Sequence, residues 1–455
     1  MKIFGFLAVV LACVSCTADF LDVKSNKNLV VPNKINDYAA LLEETRTMNS
    51  ASSHVLGLIG ADEYFITDGV WQALTARYQK NAYIWAKEVY EGAEVDDWNN
   101  AYKRILHANI VLEGLGVPGE SDKGEITEWN RVKGMALFHR AFNFYQLAQL
   151  FCEPYMEQTA AASQGIPLRL EADITIPTTR ASILETYNRI IADLREAASL
   201  LPEETENRFI PSKAAAYALL ARTLLNMGAY NEALDCADRS LAIRGELADF
   251  NELDFEATYT FPSYGENNPE VLFMSYMLNI TITNSSRFNA DTNLLAMYDH
   301  GDLRRQAYFF SNAEQRVLFK GSYTGANTFF TGLAVDEVLL IRAECLAMLG
   351  DWLLAREELD RFRKNRYAAE HFMPLQLEGQ QRVMDAIINE RRKELVLRGT
   401  RWEDLRRLNQ NATYRHALVR TVNGQTYTLE PNSPRWTWAI PDLVVEISGV
   451  EQNVR

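Results

Sequence analysis

The stretch ALLARTLLNMGAYNEAL, residues 218–234, sets the architecture of this 455-residue chain. A second stretch, LLIRAECLAMLGDWLLAR at 339–356, repeats its spacing. Ala221, Leu224, Gly228 and Ala233 each have a mate 122 positions later, in Ala343, Leu346, Gly350 and Ala355. Small alanines let two antiparallel helices approach closely, and a glycine just past the first helix closes the turn between them.

This is the physics of a tetratricopeptide hairpin. Further helices are expected at 36–48, from Asp96 or Asp97 to 115, and at 128–151, 182–201, 211–227 and 230–243. Others are expected at 335–349, 352–365, 380–397 and 400–408. Pro211 suits a first helical turn, and Pro154 and Pro202 stop helices. RRKELVLRGTRWEDLRRL, 391–408, reads as a degenerate hairpin turning at Gly399. ILETYNRIIADLREAASLLP, 183–202, resembles the second helix of another.

The repeats are not in tandem, so a plain solenoid is not expected. Residues 244–332, rich in Asn, Tyr, Phe and Gly, are too long for a linker. They predict an irregular insertion packed on one side of the helical scaffold. EVLFMSYMLNITIT, 270–283, carries a short-strand pattern, and Asn423-Gly424 between alternating segments predicts a tight hairpin. The fold class is mainly α, with small β-hairpins.

The net charge of −14 argues against a nucleic-acid partner, whose phosphates demand a basic surface. The apolar run from Ile3 to Val14 is too short to span a bilayer and follows Lys2, as in a signal peptide. Cys13-Val14-Ser15-Cys16 resembles a bacterial lipobox, with lipidation expected at Cys16 and Cys13 as an overlapping match. That reading makes 1–15 a signal peptide and 16–455 a single domain, tethered to a membrane through its N-terminal lipid. Cys152, Cys236 and Cys345 lie in helical patterns and read as small buried hydrophobes, not as a disulfide framework.

Catalytic and metal motifs are missing. The sequence holds no HExxH, paired CxxC, GxSxG, Walker or EF-hand pattern, and its six histidines lack ligand spacing. No metal, cofactor or catalytic residue is expected, and no carboxylate pair stands out as a glycosidase couple. Arg391, Glu394, Arg398, Arg401, Glu403, Asp404 and Arg406 fall at spacings that pair within and between helices, a structural role.

These segments together resemble the RagB/SusD family of outer-membrane lipoproteins from Bacteroidota. SCTADFLDV after the apolar run is similar to the family's lipidated cysteine and tail, which favours Cys16. WNNAYKRILHANIVLEGL (98–115), KGMALFHRAFNFYQLAQLF (133–151) and GIPL (165–168) resemble family segments. So do NPEVLF (268–273), DLRR (302–305), AIPDLVVEISGVEQN (439–453) and above all NERRKELVLRGTRWEDLRRL (389–408). FCEPY at 151–155 departs from the family's glycine-containing turn.

The resemblance implies four tetratricopeptide-like helix pairs supporting an irregular half, with a part at 16–330 and a C-terminal part at 333–455. It implies a surface lipoprotein that captures glycans, or peptides as RagB-type members do, as the lid of a SusC-like TonB-dependent transporter. A lipid-anchored scaffold that binds only proteins is the alternative. Sugar C–H faces stack on aromatic rings, and hydroxyls need planar polar partners. Candidate ligand residues are therefore Asp62, Tyr64, Trp71, Tyr78, Tyr83 and Trp85, and, in the insertion, Tyr264, Tyr276, Arg287, Asn289 and Tyr323. Trp98, Trp402, Trp436 and Trp438 are expected to pack the interior.

Overall fold

A computed structural model describes residues 32–116, 123–277, 280–284 and 286–455. The signal segment 1–15, Cys13 and Cys16 lie outside the described residues. No helix among the described residues is long and apolar enough to cross a membrane.

Eight long helices form the scaffold and make up its four pairs. They are Asp96–Gly114, Lys123–Phe151, Ile183–Leu200, Lys213–Asn226, Tyr230–Ile243, Val335–Met348, Trp352–Lys364 and Gln380–Glu394. Each packs against the next along the chain. Tyr230–Ile243 meets Val335–Met348 directly, so the insertion leaves the stack and returns to it. Ala221, Ala233, Ala343 and Ala355 are buried at the close contacts, as the repeat requires.

The two repeat turns share one hydrogen-bond pattern. Ala229 N–H donates to Leu224 O at 2.9 Å, and Asp351 N–H donates to Leu346 O at 2.9 Å. Gly228 and Gly350 sit at φ +74° and +95°, where a side chain would strain the backbone. Space around both is open, so the requirement for glycine is conformational and not one of packing.

Helix ends differ from expectation where a side chain caps the backbone. Ser212 Oγ accepts from Ala215 N–H, so that helix starts at Lys213 and Pro211 precedes it. The expected 36–48 helix is broken at Glu44, whose carboxylate caps the backbone N–H groups of Arg46 and Thr47. The helix expected at 128–151 begins earlier, at Lys123. The one expected at 380–397 ends at Glu394, and Leu397 turns left-handed at φ +58°.

The insertion is stitched to the scaffold by short antiparallel pairs. Val271–Phe273 joins Leu333–Ala334, and Tyr276–Met277 joins Phe329–Phe330. Phe288–Ala290 pairs with Tyr64–Ile66, bringing the insertion to the N-terminal part. Phe309–Ser311 pairs with Val317–Phe319. The Asn423-Gly424 hairpin forms as expected, with both residues at positive φ between Leu418–Val422 and Gln425–Leu429.

The charge-dense 389–408 segment pairs inward. Arg304 reaches Asp302, Glu390 and Glu394, while Arg366 spans Glu270 and Glu394. Arg398 binds Asp336 at 2.6 Å, and Arg391 binds Asp404 at 3.2 Å. The Tyr323 hydroxyl lies 2.6 Å from Glu270 and 3.0 Å from Asp336. Glu270, Asp336 and Glu394 bring carboxylate oxygens within 4.8 Å of one another. Arginines occupy all three, so the cluster is an ion-pair lattice joining the insertion to the scaffold.

Candidate functional site

Strand Tyr64–Ile66 alternates buried, exposed, buried. Tyr64 and Ile66 point into the core, while Phe65 stays 40% exposed, opposite Asn289. Period-two alternation forces this display. Phe65 lies on the rim of a cleft of about 550 Å³. Five segments shape that cleft: 61–66, Tyr83 with Trp85, Asp291 and Asn293 of the insertion, Arg392, and 416–421, which leads into the hairpin strand Leu418–Val422.

Arg420 and the aromatics beneath it make the floor. Its guanidinium lies 3.9 Å from the Tyr83 ring centre and 4.5 Å from that of Trp85. It also donates to Tyr83 O and Ala61 O, tying the hairpin to the two segments opposite. Trp85 Nε1 donates to Gly60 O at 3.0 Å, and Tyr83 Oη accepts from Ile66 N–H at 3.1 Å. At the hairpin tip, Asn423 N–H donates to Asp68 Oδ1 at 2.9 Å and Asn423 Oδ1 accepts from Gln72 at 2.6 Å.

Polar groups line one wall. Asp62 is gripped by Arg401 at 2.7 and 3.0 Å and by Arg392 at 3.1 Å, with His416 Nε2 at 3.8 Å. Burial works against ionisation of Asp62, but Arg401, with His416 and Arg392, outweighs it and holds the carboxyl well below its usual range. Arg392 also reaches Asp291 at 3.4 Å. His416 keeps 45% of its side chain exposed.

Glu63, next to this wall, is fully buried and accepts from Leu397 N–H at 2.6 Å. Burial raises its carboxyl to about 8. Its unfolded form ionises near the ordinary 4.5, so the native state holds the extra proton between these values. The resulting stability is full below about pH 4.5 and is lost as pH rises toward 8. Glu63→Gln is expected to flatten this slope, by about 1–3 kcal/mol between pH 5.5 and 8. Urea unfolding at the two pH values measures it; an unchanged slope would assign the titration to other groups.

The sequence candidates divide among several places. Asp62, Tyr64, Tyr83 and Trp85 come together at the cleft. Of these, Trp85, Tyr83 and Tyr64 are buried at 0%, 2% and 3% exposure, so they support the floor and offer no free ring face. Tyr264, 40% exposed, and Tyr276 form a second aromatic cluster with Phe209, at 5.5 and 6.0 Å between ring centres. Trp71 is half-buried with Lys80 5.1 Å over its ring, and Tyr78 is half-buried near Asp97. Arg287 is half-buried, and Asn289 is buried and accepts from Arg316 at 2.8 Å. Tyr323 belongs to the ion-pair lattice.

Sequence reasoning passed over Phe65, Asn293, Asp291, Arg392 and His416. The three-residue alternation YFI was the signal for Phe65. A second concavity of about 510 Å³ lies between Asp96–Gly114 and the C-terminal helix Asp442–Ser448, with Ile174, Leu443 and Ile447 exposed along it. Its walls are mostly apolar, and Asn109 there spends its amide on the carbonyls of Arg169 and Glu171.

Comparison with known proteins places these features in context. A family model described as starch-binding associating with outer membrane (SusD-like) matches residues 19–225, and one described as SusD family matches residues 333–443. SusD-like protein P2 of Formosa agariphila is 33% identical over 139 residues. That match covers 30% of this chain and spans only 25% of the relative's length. The fold is similar to that of a SusD superfamily protein from Bacteroides thetaiotaomicron, with TM-score 0.74 and 21% identity, over 93% of this chain and 100% of that one. It is likewise similar to a putative sugar binding protein from Bacteroides vulgatus, with TM-score 0.73 and 20% identity, over 93% and 99%. A SusD-like carbohydrate binding protein from the same species superposes with TM-score 0.66 and 20% identity, over 92% and 97%.

Proposed function

We propose a carbohydrate-capturing role for the Phe65 cleft of this chain, which belongs to the SusD/RagB family. The observation that carries the proposal is an exposed aromatic ring beside convergent polar groups, set on a floor pinned by hydrogen bonds and ring contacts. Phe65 offers a stacking face for sugar C–H groups, and His416, Asn293 and Asp291 lie within the same cleft for hydroxyls. The stacked Arg420, Tyr83 and Trp85 hold that floor in place before ligand arrives, which lowers the entropic cost of binding.

Capture, not hydrolysis, suits the electrostatics. A glycosidase acid needs a carboxyl whose proton is retained near neutral pH. Asp62 is held ionised and bridged by Arg392 to Asp291, and Glu63, which does keep its proton, is buried and does not line the cleft. In this reading residues 1–15 are removed, Cys16 carries the lipid, and 16–455 stands as one domain at the outer-membrane surface. A SusC-like TonB-dependent transporter then receives the captured ligand. The outer-membrane association named by the family model supports this placement.

Phe65→Ala is expected to weaken glycan binding about tenfold, equivalent to about 1.4 kcal/mol, with folding stability unchanged. Tyr264→Ala, at the other aromatic cluster, is expected to leave affinity as it was. Calorimetric titration against an oligosaccharide panel is the measurement. If affinity falls only in Tyr264→Ala, the cleft is misassigned; if the panel never binds and peptides do, the ligand class is wrong.

A further inference from the structure

Arg420 stands apart among the buried arginines. Arg140, Arg222, Arg304, Arg363, Arg366, Arg391, Arg398 and Arg401 are all buried, and each has a carboxylate partner within 4 Å. Arg104, Arg406 and Arg420 are buried without an acid partner among the described residues. Arg104 and Arg406 donate to carbonyls and, for Arg104, to the Asn143 side chain, and neither borders a cavity described above. Arg420 lines the 550 Å³ cleft, and its only acceptors among the described residues are the carbonyls of Tyr83 and Ala61.

A guanidinium carries five N–H donors and a charge that low-dielectric surroundings penalise unless an anion faces it. The cleft's own charges do not supply that anion. Its carboxylates are engaged elsewhere, Asp62 by Arg392 and Arg401 and Asp291 by Arg392. Arg420 is thus a cleft-lining cation with no acid partner within 4 Å among the described residues. Glu63, which accepts from Leu397 N–H, does not line the cleft.

We propose that the cleft selects acidic saccharides, a carboxylate or sulfate ester of the sugar meeting Arg420 while the ring stacks on Phe65. This rests on the carbohydrate reading of the same cleft and deepens it to a substrate class. Planar guanidinium suits both oxyanions, because its paired N–H donors match two oxygens of either. The chain's overall negative charge opposes long-range attraction of a polyanion. Selectivity therefore comes from the local contact, expressed in dissociation rate more than in encounter rate.

The test is titration of the wild-type protein with three ligands on one backbone: α-1,4-linked galactotriose, its 6-carboxylate form trigalacturonate, and its 6-O-sulfate ester. At low ionic strength at least one acidic trisaccharide is expected to bind tenfold or more tightly than the neutral one, with the preference shrinking at 0.5 M salt. Carboxylate alone, sulfate alone or both would each identify the source of the oxyanion. Arg420→Lys is expected to narrow the preference, and Arg420→Gln to erase it. Because Arg420 also ties down two carbonyls, circular dichroism must show these variants folded; the wild-type comparison stands without them.

Neutral galactotriose binding as tightly as both acidic forms would overturn the acidic preference. If that neutral binding were still lost in Phe65→Ala, the carbohydrate cleft itself would survive. If none of the three bound and no other sugar did, both readings would fall together.

Discussion

Arg366→Met is expected to cost about 3–5 kcal/mol of folding stability, because it strands the buried Glu270 and takes from Glu394 one of its two arginines. Arg366 is fully buried and donates to both oxygens of Glu270, at 2.7 and 2.9 Å, and to Glu394 at 2.9 Å. Its guanidinium also packs 4.1 Å from the Phe250 ring centre and 4.8 Å from that of Phe362. Methionine keeps much of the apolar contact and removes the charge. Burial already raises Glu270 to about 7 against the pull of Arg366, and it raises Glu394 as well. Without the arginine both rise further; Glu394 keeps Arg304, while for Glu270 protonation becomes the escape from charge in the interior.

The sign for pH follows. A carboxyl whose native pKa exceeds its unfolded value stabilises the fold below the unfolded value and loses that contribution as pH climbs through the native one. The penalty of Arg366→Met is therefore expected to be larger at pH 8 than at pH 5. Urea unfolding at both pH values measures it. A second substitution, Glu270→Gln, should return part of the loss at pH 8, since it removes one stranded charge. A cost under about 1 kcal/mol at both pH values would mean that the lattice is not what joins the insertion to the scaffold.

The same lattice shows where sequence reasoning carries and where it stops. Residues 389–408 read as a pairing segment from their spacing alone, and in the structure most of their charges pair; Glu403 instead accepts from Tyr145, and Arg406 donates to the carbonyls of Gln149 and Cys152. Many of their partners, however, are contributed from outside the segment, among them Arg304, Asp302, Asp336 and Arg366. No periodicity encodes a contact between Arg366 and Glu270. The helical repeat was legible because its cause is local: alanine spacing and a glycine at positive φ. The cleft was not, because it exists only once the Asn423-Gly424 hairpin folds against 61–66 and Asp291 arrives on the insertion.

Trp85 illustrates the opposite error. A tryptophan in a candidate segment invites a ligand role, yet its indole lies under Arg420 and spends its N–H on Gly60 O. Phe65, smaller and nearer the start of the segment, is the ring that the alternating strand leaves outside. Residue type carried the first choice; strand phase decides the second, and phase depends on which neighbour the strand meets.

Trp402→Ala is expected to be the other large loss, about 3–5 kcal/mol, through an unfilled cavity. The indole is 2% exposed and stacks on Trp436 at 4.7 Å and Trp438 at 5.3 Å between ring centres. It also presses on the helix Val55–Gly60. A Cβ at Gly60 would lie 2.6 Å from the Trp402 ring and 2.9 Å from that of Trp438, so the helix approaches closely only because Gly60 has none. That helix delivers the chain to Ala61 and Asp62, and Gly60 O holds Trp85. The tryptophan stack therefore supports the floor of the cleft from below.

Its removal should weaken ligand binding as well as stability, whereas Phe65→Ala should change binding alone. Gly60→Ala attacks the same contact from the other side and is expected to cost about 1–3 kcal/mol by overpacking. Denaturant titration and calorimetry on the three variants separate the roles. If Trp402→Ala lowers stability and leaves affinity intact, the cleft floor is held by Arg420 and its carbonyl partners alone, and the stack serves the core only.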